Sequence, residues 1–135
     1  MSYKIDEIEG IGPVFAKTLA SAKINTTDDF LNLCCDAKGR KKVSADTELN
    51  EGQLLNWANM ADLMRVSGIG PQFSELLKAA GVDTIKELRT RNAENLATKM
   101  TEVNEEKHLA KTSPKTDMVQ GWIEKAKTMD PKITH

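Results

Sequence analysis

Two short stretches carry the chemistry that this chain offers. Gly10-Ile11-Gly12-Pro13 and Gly68-Ile69-Gly70-Pro71 write the same four residues twice. A glycine-bounded turn that opens a helix leaves the first backbone N–H groups without intrahelical partners, and the helix dipole adds partial positive charge there. A phosphate suits such a place. The side chains that would assist are Lys17 and Lys23 after the first turn, and Arg65, Ser67, Gln72 and Lys78 around the second. Acidic residues oppose them: Asp6, Glu7 and Glu9 before the first turn, Glu75 after the second.

A second basic feature is KGRKK, in which Lys38, Arg40, Lys41 and Lys42 place four positive charges in five residues. On a short surface loop such a run grips phosphate without sequence preference, or is simply solvated. No aromatic residues interleave it to stack on bases. The run RNAENL…TEVNEEKHL carries Glu94, Lys99, Glu102, Glu105, Glu106 and Lys107, read as a solvated helix face or as a docking face for a basic partner.

Other chemistries find less support. His108 and His135 are the only histidines, 27 positions apart and without a nearby cysteine pair, whereas a zinc site needs three or four convergent ligands. No nucleophile, base and acid set is recognisable. Asp83 and Lys86 stand where hairpin-bearing DNA glycosylases carry a catalytic group, but the chain lacks the length for a second domain to enclose a flipped base. No cofactor, metal or enzymatic activity is expected. Cys34 and Cys35 are adjacent in an apolar stretch and read as reduced core thiols, with redox sensing as the sharper alternative.

The elements around these residues are helical. Pro13 and Pro71 fit a first helical turn, where the missing N–H costs nothing. Phe15, Leu19 and Ala22 follow at helical spacing, as do Phe73, Leu77 and Ala80. Gly81 suits the position just past the second helix, while Lys23 stands there in the first. Thr84 with Glu87 forms a capping box and Thr26 with Asp29 a weaker one. A helix is predicted over Asn50–Met64, with Leu54, Trp57, Ala58 and Ala61 inward, and another over Asn92–His108. Pro114–Met129 is a third, capped by Ser113, with Met118, Val119, Trp122, Ile123 and Ala126 inward. Trp57 and Trp122 read as equivalent core anchors. Met60, Met64, Met100, Met118 and Met129 read as core filling.

A shift of 58 residues aligns Ile8–Phe30 with Val66–Leu88, with eight of 23 positions identical. Such self-similarity indicates duplicated supersecondary units. The spacing h-x-G-h-G between helices is the helix-hairpin-helix pattern. The expected fold is all-α, with eight to ten short helices. Two tandem helix-hairpin-helix units, residues 1–65 and 66–135, pack as one compact helical domain with no free linker between them.

The phrases Ala61–Arg65 (ADLMR), Gly81–Leu88 (GVDTIKEL), Arg91–Leu96 (RNAENL) and Val103–Lys107 (VNEEK) resemble a bacterial family described as domain of unknown function 4332. The opening Ile8–Pro13 and Gly121–Lys127 resemble it too, so the likeness covers nearly the whole chain. It implies a double-hairpin helical fold and carries over no activity and no catalytic residues. DNA-binding helix-hairpin-helix proteins often have a basic or small polar residue two places past the second glycine, where this chain has Val14 and Gln72.

Charge and length bound the function. The 135 residues carry 19 basic and 20 acidic side chains, balanced in both units, unlike the excess positive charge of most nucleic-acid modules. The acidic opening MSYKIDEIEG has no apolar signal region and no apolar run has membrane length, so a soluble, cytoplasmic protein is expected. The leading reading is a non-enzymatic adaptor making weak, sequence-independent contacts to DNA or RNA backbone. Gly68, Gly70, Gln72, Arg65 and Lys78 supply most of them, Gly10, Gly12 and Lys17 fewer, and the KGRKK run a second grip. The alternative is a protein–protein interaction or assembly module whose hairpins serve packing.

Overall fold

A computed structural model describes residues 2–134. Eight α-helices follow a short 3-10 helix at Ile5–Glu7: α1 (Pro13–Ser21), α2 (Thr27–Cys34), α3 (Ala37–Thr47), α4 (Glu51–Leu63), α5 (Pro71–Ala79), α6 (Ile85–Leu88), α7 (Ala93–Lys107) and α8 (Thr116–Lys127). The expected all-α class holds. Among the described residues the only β pairing is an isolated bridge between Lys4 and Thr26.

Helix starts follow the local code closely. Gly12 and Gly70 are the extended residues before α1 and α5, with Pro13 and Pro71 at the first helical position. Asn50 and Asn92 cap α4 and α7 with their side-chain oxygens. The two capping boxes reverse their expected strengths. Thr26 Oγ1 accepts from the Asp29 N–H at 3.1 Å while the Asp29 carboxylate accepts from the N–H groups of Asn25 and Thr26, so this box is complete. At α6 only Thr84 caps, at 3.3 Å from the Glu87 N–H, because the Glu87 carboxylate pairs with Arg91 at 2.6 Å. Lys23 adopts the left-handed conformation (φ 66°) that Gly81 takes in the second copy (φ 97°).

Two expectations about α8 are corrected. The helix starts at Thr116, not at Pro114, and Ser113 is not its cap. Asn104, buried on α7, organises the preceding loop by bonding the Ala110 N–H, the Ala110 carbonyl and the Ser113 hydroxyl. Met118 is 47% exposed. The inward stripe is Val119, Trp122, Ile123 and Ala126, and Met118 sits about a quarter-turn off its centre.

Side chains gather into two cores. The first draws on residues 5–64 and centres on Leu19, Phe30, Leu54 and Trp57; the second centres on Leu77, Leu88, Met100 and Trp122. Each of the large aliphatic side chains buried here contributes about 1.5–3 kcal/mol. The tryptophans are equivalent, as expected. Phe15 meets Trp57 with ring centroids 5.3 Å apart, and Phe73 meets Trp122 at 5.2 Å.

The cores are joined where α4 ends. Met64 packs into the first core and Leu63 into the second. Between them Asp62, 1% exposed, accepts from the Arg65 guanidinium at 2.7 Å and from the Ile85 N–H at 2.9 Å, so α4 supplies a cap to α6. A second joint comes from the segment after α8. Ile133 is buried in the first core, although α8 belongs to the second.

Candidate functional site

The two glycine turns share one geometry. The Ile11 N–H bonds the Ile8 carbonyl and the Ile69 N–H bonds the Val66 carbonyl, each at 3.0 Å. Gly10 (φ 93°) and Gly68 (φ 99°) are left-handed, a conformation L side chains rarely adopt. Each lies under the indole edge of a tryptophan. A Cβ on Gly10 would stand 3.4 Å from Trp57 Nε1, and one on Gly68 3.1 Å from Trp122 Nε1. Ile11 and Ile69 plug the turns into the two cores. Gly12 and Gly70 differ, being extended with open space beside them. No side chain caps α1 or α5, so their first-turn N–H groups are left for other acceptors.

The charges around the second turn are arranged differently from the sequence expectation. Arg65 is not a free cation. It pairs with Asp62, and both terminal nitrogens donate to the Asp130 carbonyl at 3.1 Å. Lys125 Nζ donates to the Ser67 carbonyl at 3.0 Å. Gln72 Oε1 accepts from the Lys111 N–H at 3.4 Å. Lys78 is exposed but lies in the last turn of α5, about 10 Å along the axis from Pro71. An anion held at the start of α5 does not reach it directly.

Acidic residues from the first turn complete the surroundings. Asp6, Glu7 and Glu9 join Gly68, Gly70, Pro71, Gln72 and Phe73 around an open cleft of about 620 Å³. Burial, and then the nearby Glu9 carboxylate, push the Glu75 carboxyl above its ordinary value, against a lowering by Lys78. The fold therefore sets the acids of one turn beside the start of the helix that follows the other.

KGRKK also needs correction. It lies on α3, not on a loop, because Asp36 caps that helix through the Gly39 N–H at 2.7 Å. Arg40 is only 4% exposed. Its guanidinium donates to the Cys34 carbonyl at 2.9 Å and to the Thr134 carbonyl at 2.6 Å, so it is withdrawn from any phosphate-binding role. The carbonyl end of α2 is a favourable place for a cation. Lys38, Lys41 and Lys42 remain exposed, and Lys17 is exposed on α1. None of these four lines the cleft.

Cys34 is a buried, free thiol, as expected for a core cysteine, and burial pushes its pKa up to about 12. No group of three or more His, Cys, Asp or Glu residues converges on a metal position among the described residues. His108 ends α7 in a left-handed conformation, and His135 lies outside the described residues. No helix is long and apolar enough to cross a membrane among the described residues. Sequence reasoning missed Asp62, although an acid in the run ANMADLM three residues before Arg65 was a usable signal. It also missed the role of Ile133, for which one aliphatic residue in a polar stretch gave none.

Comparison with known proteins adds one match. The model of the family described as Domain of unknown function (DUF4332) matches residues 9–129, so the chain belongs to that family. No curated protein and no solved structure matches the chain.

Proposed function

We propose, on the premise of membership in a family whose description assigns no activity, that this chain is a non-enzymatic protein-interaction module. Its two glycine turns would serve packing. The observation that carries this reading is the charge around the second turn. Asp6, Glu7 and Glu9 line the cleft at Gly68–Phe73, while Arg65 and Lys125 donate to the chain's own carbonyls at Asp130 and Ser67. Carboxylates beside a helix start repel a phosphodiester and attract a cationic segment. Half-buried Phe73 supplies an apolar floor for such a segment. Near-zero net charge agrees with a protein partner.

One observation favours the other reading, weak contact with nucleic-acid backbone. Neither α1 nor α5 is capped by a side chain, so both starts keep donors for an anion. A hairpin-type contact of this sort would position a backbone without reading sequence.

The deciding experiment titrates the protein with a mixed-sequence DNA duplex, single-stranded DNA and RNA across a salt series. In parallel, wild type and the Glu9→Lys variant serve as baits for protein partners. The interaction reading expects no binding to nucleic acid at moderate salt and a specific partner that Glu9→Lys loses. Nucleic-acid binding that falls steeply with salt, and that strengthens in Glu9→Lys, would refute it in favour of phosphate contact.

A further inference from the structure

The segment after α8 is held in a manner that suits exchange. Its contacts include one buried apolar side chain and hydrogen bonds made to its main chain, one by a backbone carbonyl and the others by two arginine side chains. Ile133 is 8% exposed among residues of the first core. The Thr134 N–H donates to the Cys35 carbonyl at 2.8 Å, and the Thr134 carbonyl accepts from Arg40 at 2.6 Å. The Asp130 carbonyl accepts from both terminal nitrogens of Arg65. The segment thus runs between the end of α2 with α3 on one side and α6 on the other, where Ile133 and Thr134 share a cleft with Asp83, Thr84 and Glu87. Main-chain bonds plus one side-chain pocket are how proteins recognise extended peptides.

The groove recognises little that is particular to its own chain position. It needs a branched aliphatic residue followed by a free N–H and carbonyl. Vacating it is costly on the groove side, because Arg40 is buried and would lose one of its two acceptors. An emptied groove therefore favours recapture of an equivalent segment. The segment has no regular secondary structure of its own to unfold, and only Thr128 and Met129 separate it from α8.

We propose that this groove is a peptide-docking site, filled in cis by residues 130–134, and that the same segment of a second copy fills it in trans. Exchange of an identical element reproduces every contact of the closed form in a two-fold dimer. The proposal rests on the groove and not on the acidic cleft, so it stands or falls separately from the function proposed above.

The test uses the full chain. Ile133→Asp ejects the segment and leaves the groove empty. A labelled synthetic peptide of residues 128–134 should then bind this variant saturably, at least tenfold more tightly than it binds wild type, whose groove is filled. The same peptide carrying Asp at its isoleucine should not bind. Wild type should form a dimer by light scattering as concentration rises, and Ile133→Asp should not. Failure of the peptide to bind a variant that remains helical by circular dichroism would overturn the docking site. A wild type that stays monomeric at all concentrations would overturn the second-copy occupant. If Ile133→Asp does not fold, native-state hydrogen exchange on wild type decides. The Thr134 amide should exchange at least a hundredfold faster than the Leu54 amide, which bonds the Asn50 carbonyl within α4's first turn. Equal protection at the two would mean that the segment leaves only on global unfolding, and would overturn exchange.

Discussion

Replacing Gly68 by Ala separates the glycines that the fold requires from those that a partner could use. Gly68 has φ 99°, and an L residue held in that region costs about 1–3 kcal/mol. The new Cβ would stand 3.1 Å from Trp122 Nε1, and Trp122 is 2% exposed and held against Phe73. That ring must yield by a few tenths of an ångström, which adds about 1 kcal/mol of overpacking. The expected total is about 2–4 kcal/mol, or roughly 8–16 °C in Tm for a chain of this length. At Gly10 the corresponding contact is an ordinary 3.4 Å to Trp57, so Gly10→Ala should show only the backbone part, about 1–3 kcal/mol and about 1 kcal/mol less than Gly68→Ala. Gly70→Ser is the control. Gly70 is extended (φ −96°, ψ −168°), caps α5 and has open space where a side chain would go. A serine cap there should stabilise by a few tenths of a kcal/mol, about what separates Gly from Ser at this position. Urea unfolding followed by fluorescence of the two tryptophans measures all three. A Gly68→Ala protein within about 0.5 kcal/mol of wild type, or a Gly70→Ser protein as damaged as Gly68→Ala, would refute the reasoning. The order also guides function. Binding that changes in Gly70→Ser is lost contact, whereas binding that changes in Gly68→Ala includes a damaged fold.

Four further outcomes are expected. Gly39→Ala should destabilise by about 3 kcal/mol despite the better helix propensity of alanine, because its Cβ would fall 1.9 Å from the Leu33 carbonyl oxygen; Gly121→Ala, with open space on α8, should instead stabilise by about 0.5–1 kcal/mol, both measured by the same urea unfolding. Asp62→Ala should cost about 3 kcal/mol by urea unfolding, since it leaves Arg65 without its carboxylate and the Ile85 N–H without its acceptor. Cys34 holds its proton up to about pH 12 in the fold, while the unfolded thiol ionises near 9.0. The unfolded state therefore binds fewer protons between those values, and stability falls as pH rises, by about 1.4 kcal/mol per unit from this group. Cys34→Ala should flatten the alkaline limb of a stability-against-pH series above pH 9 by that amount; an unchanged slope would show that the thiol is not protected.

What could be read from residues alone was local. The recurrence of Gly-Ile-Gly-Pro at a shift of 58, the threonine caps at Thr26 and Thr84 and the helical spacing of apolar residues lie within a few residues of what they determine. They were enough for the all-α class, the bounds of α4 and α7 and the equivalence of Trp57 with Trp122. The glycines needed for backbone geometry were legible on the same terms, because a left-handed residue in a tight turn is a local requirement.

Which charges are free was a different kind of question. Arg40 reads as surface in KGRKK and is buried because its acceptor, Thr134, lies 94 residues away. Arg65 is held by Asp130 across 65 residues, and Glu9 comes to border the second turn only once the two units pack. Hydrogen bonds to main-chain carbonyls leave no mark in residue type, since every residue carries the same acceptor. The sequence alone therefore determined how each turn is built and where most helices begin, α3 and α8 excepted. The tertiary structure decided which cations remain available, which acids gather at the second turn, and that a segment beyond α8 closes the first core.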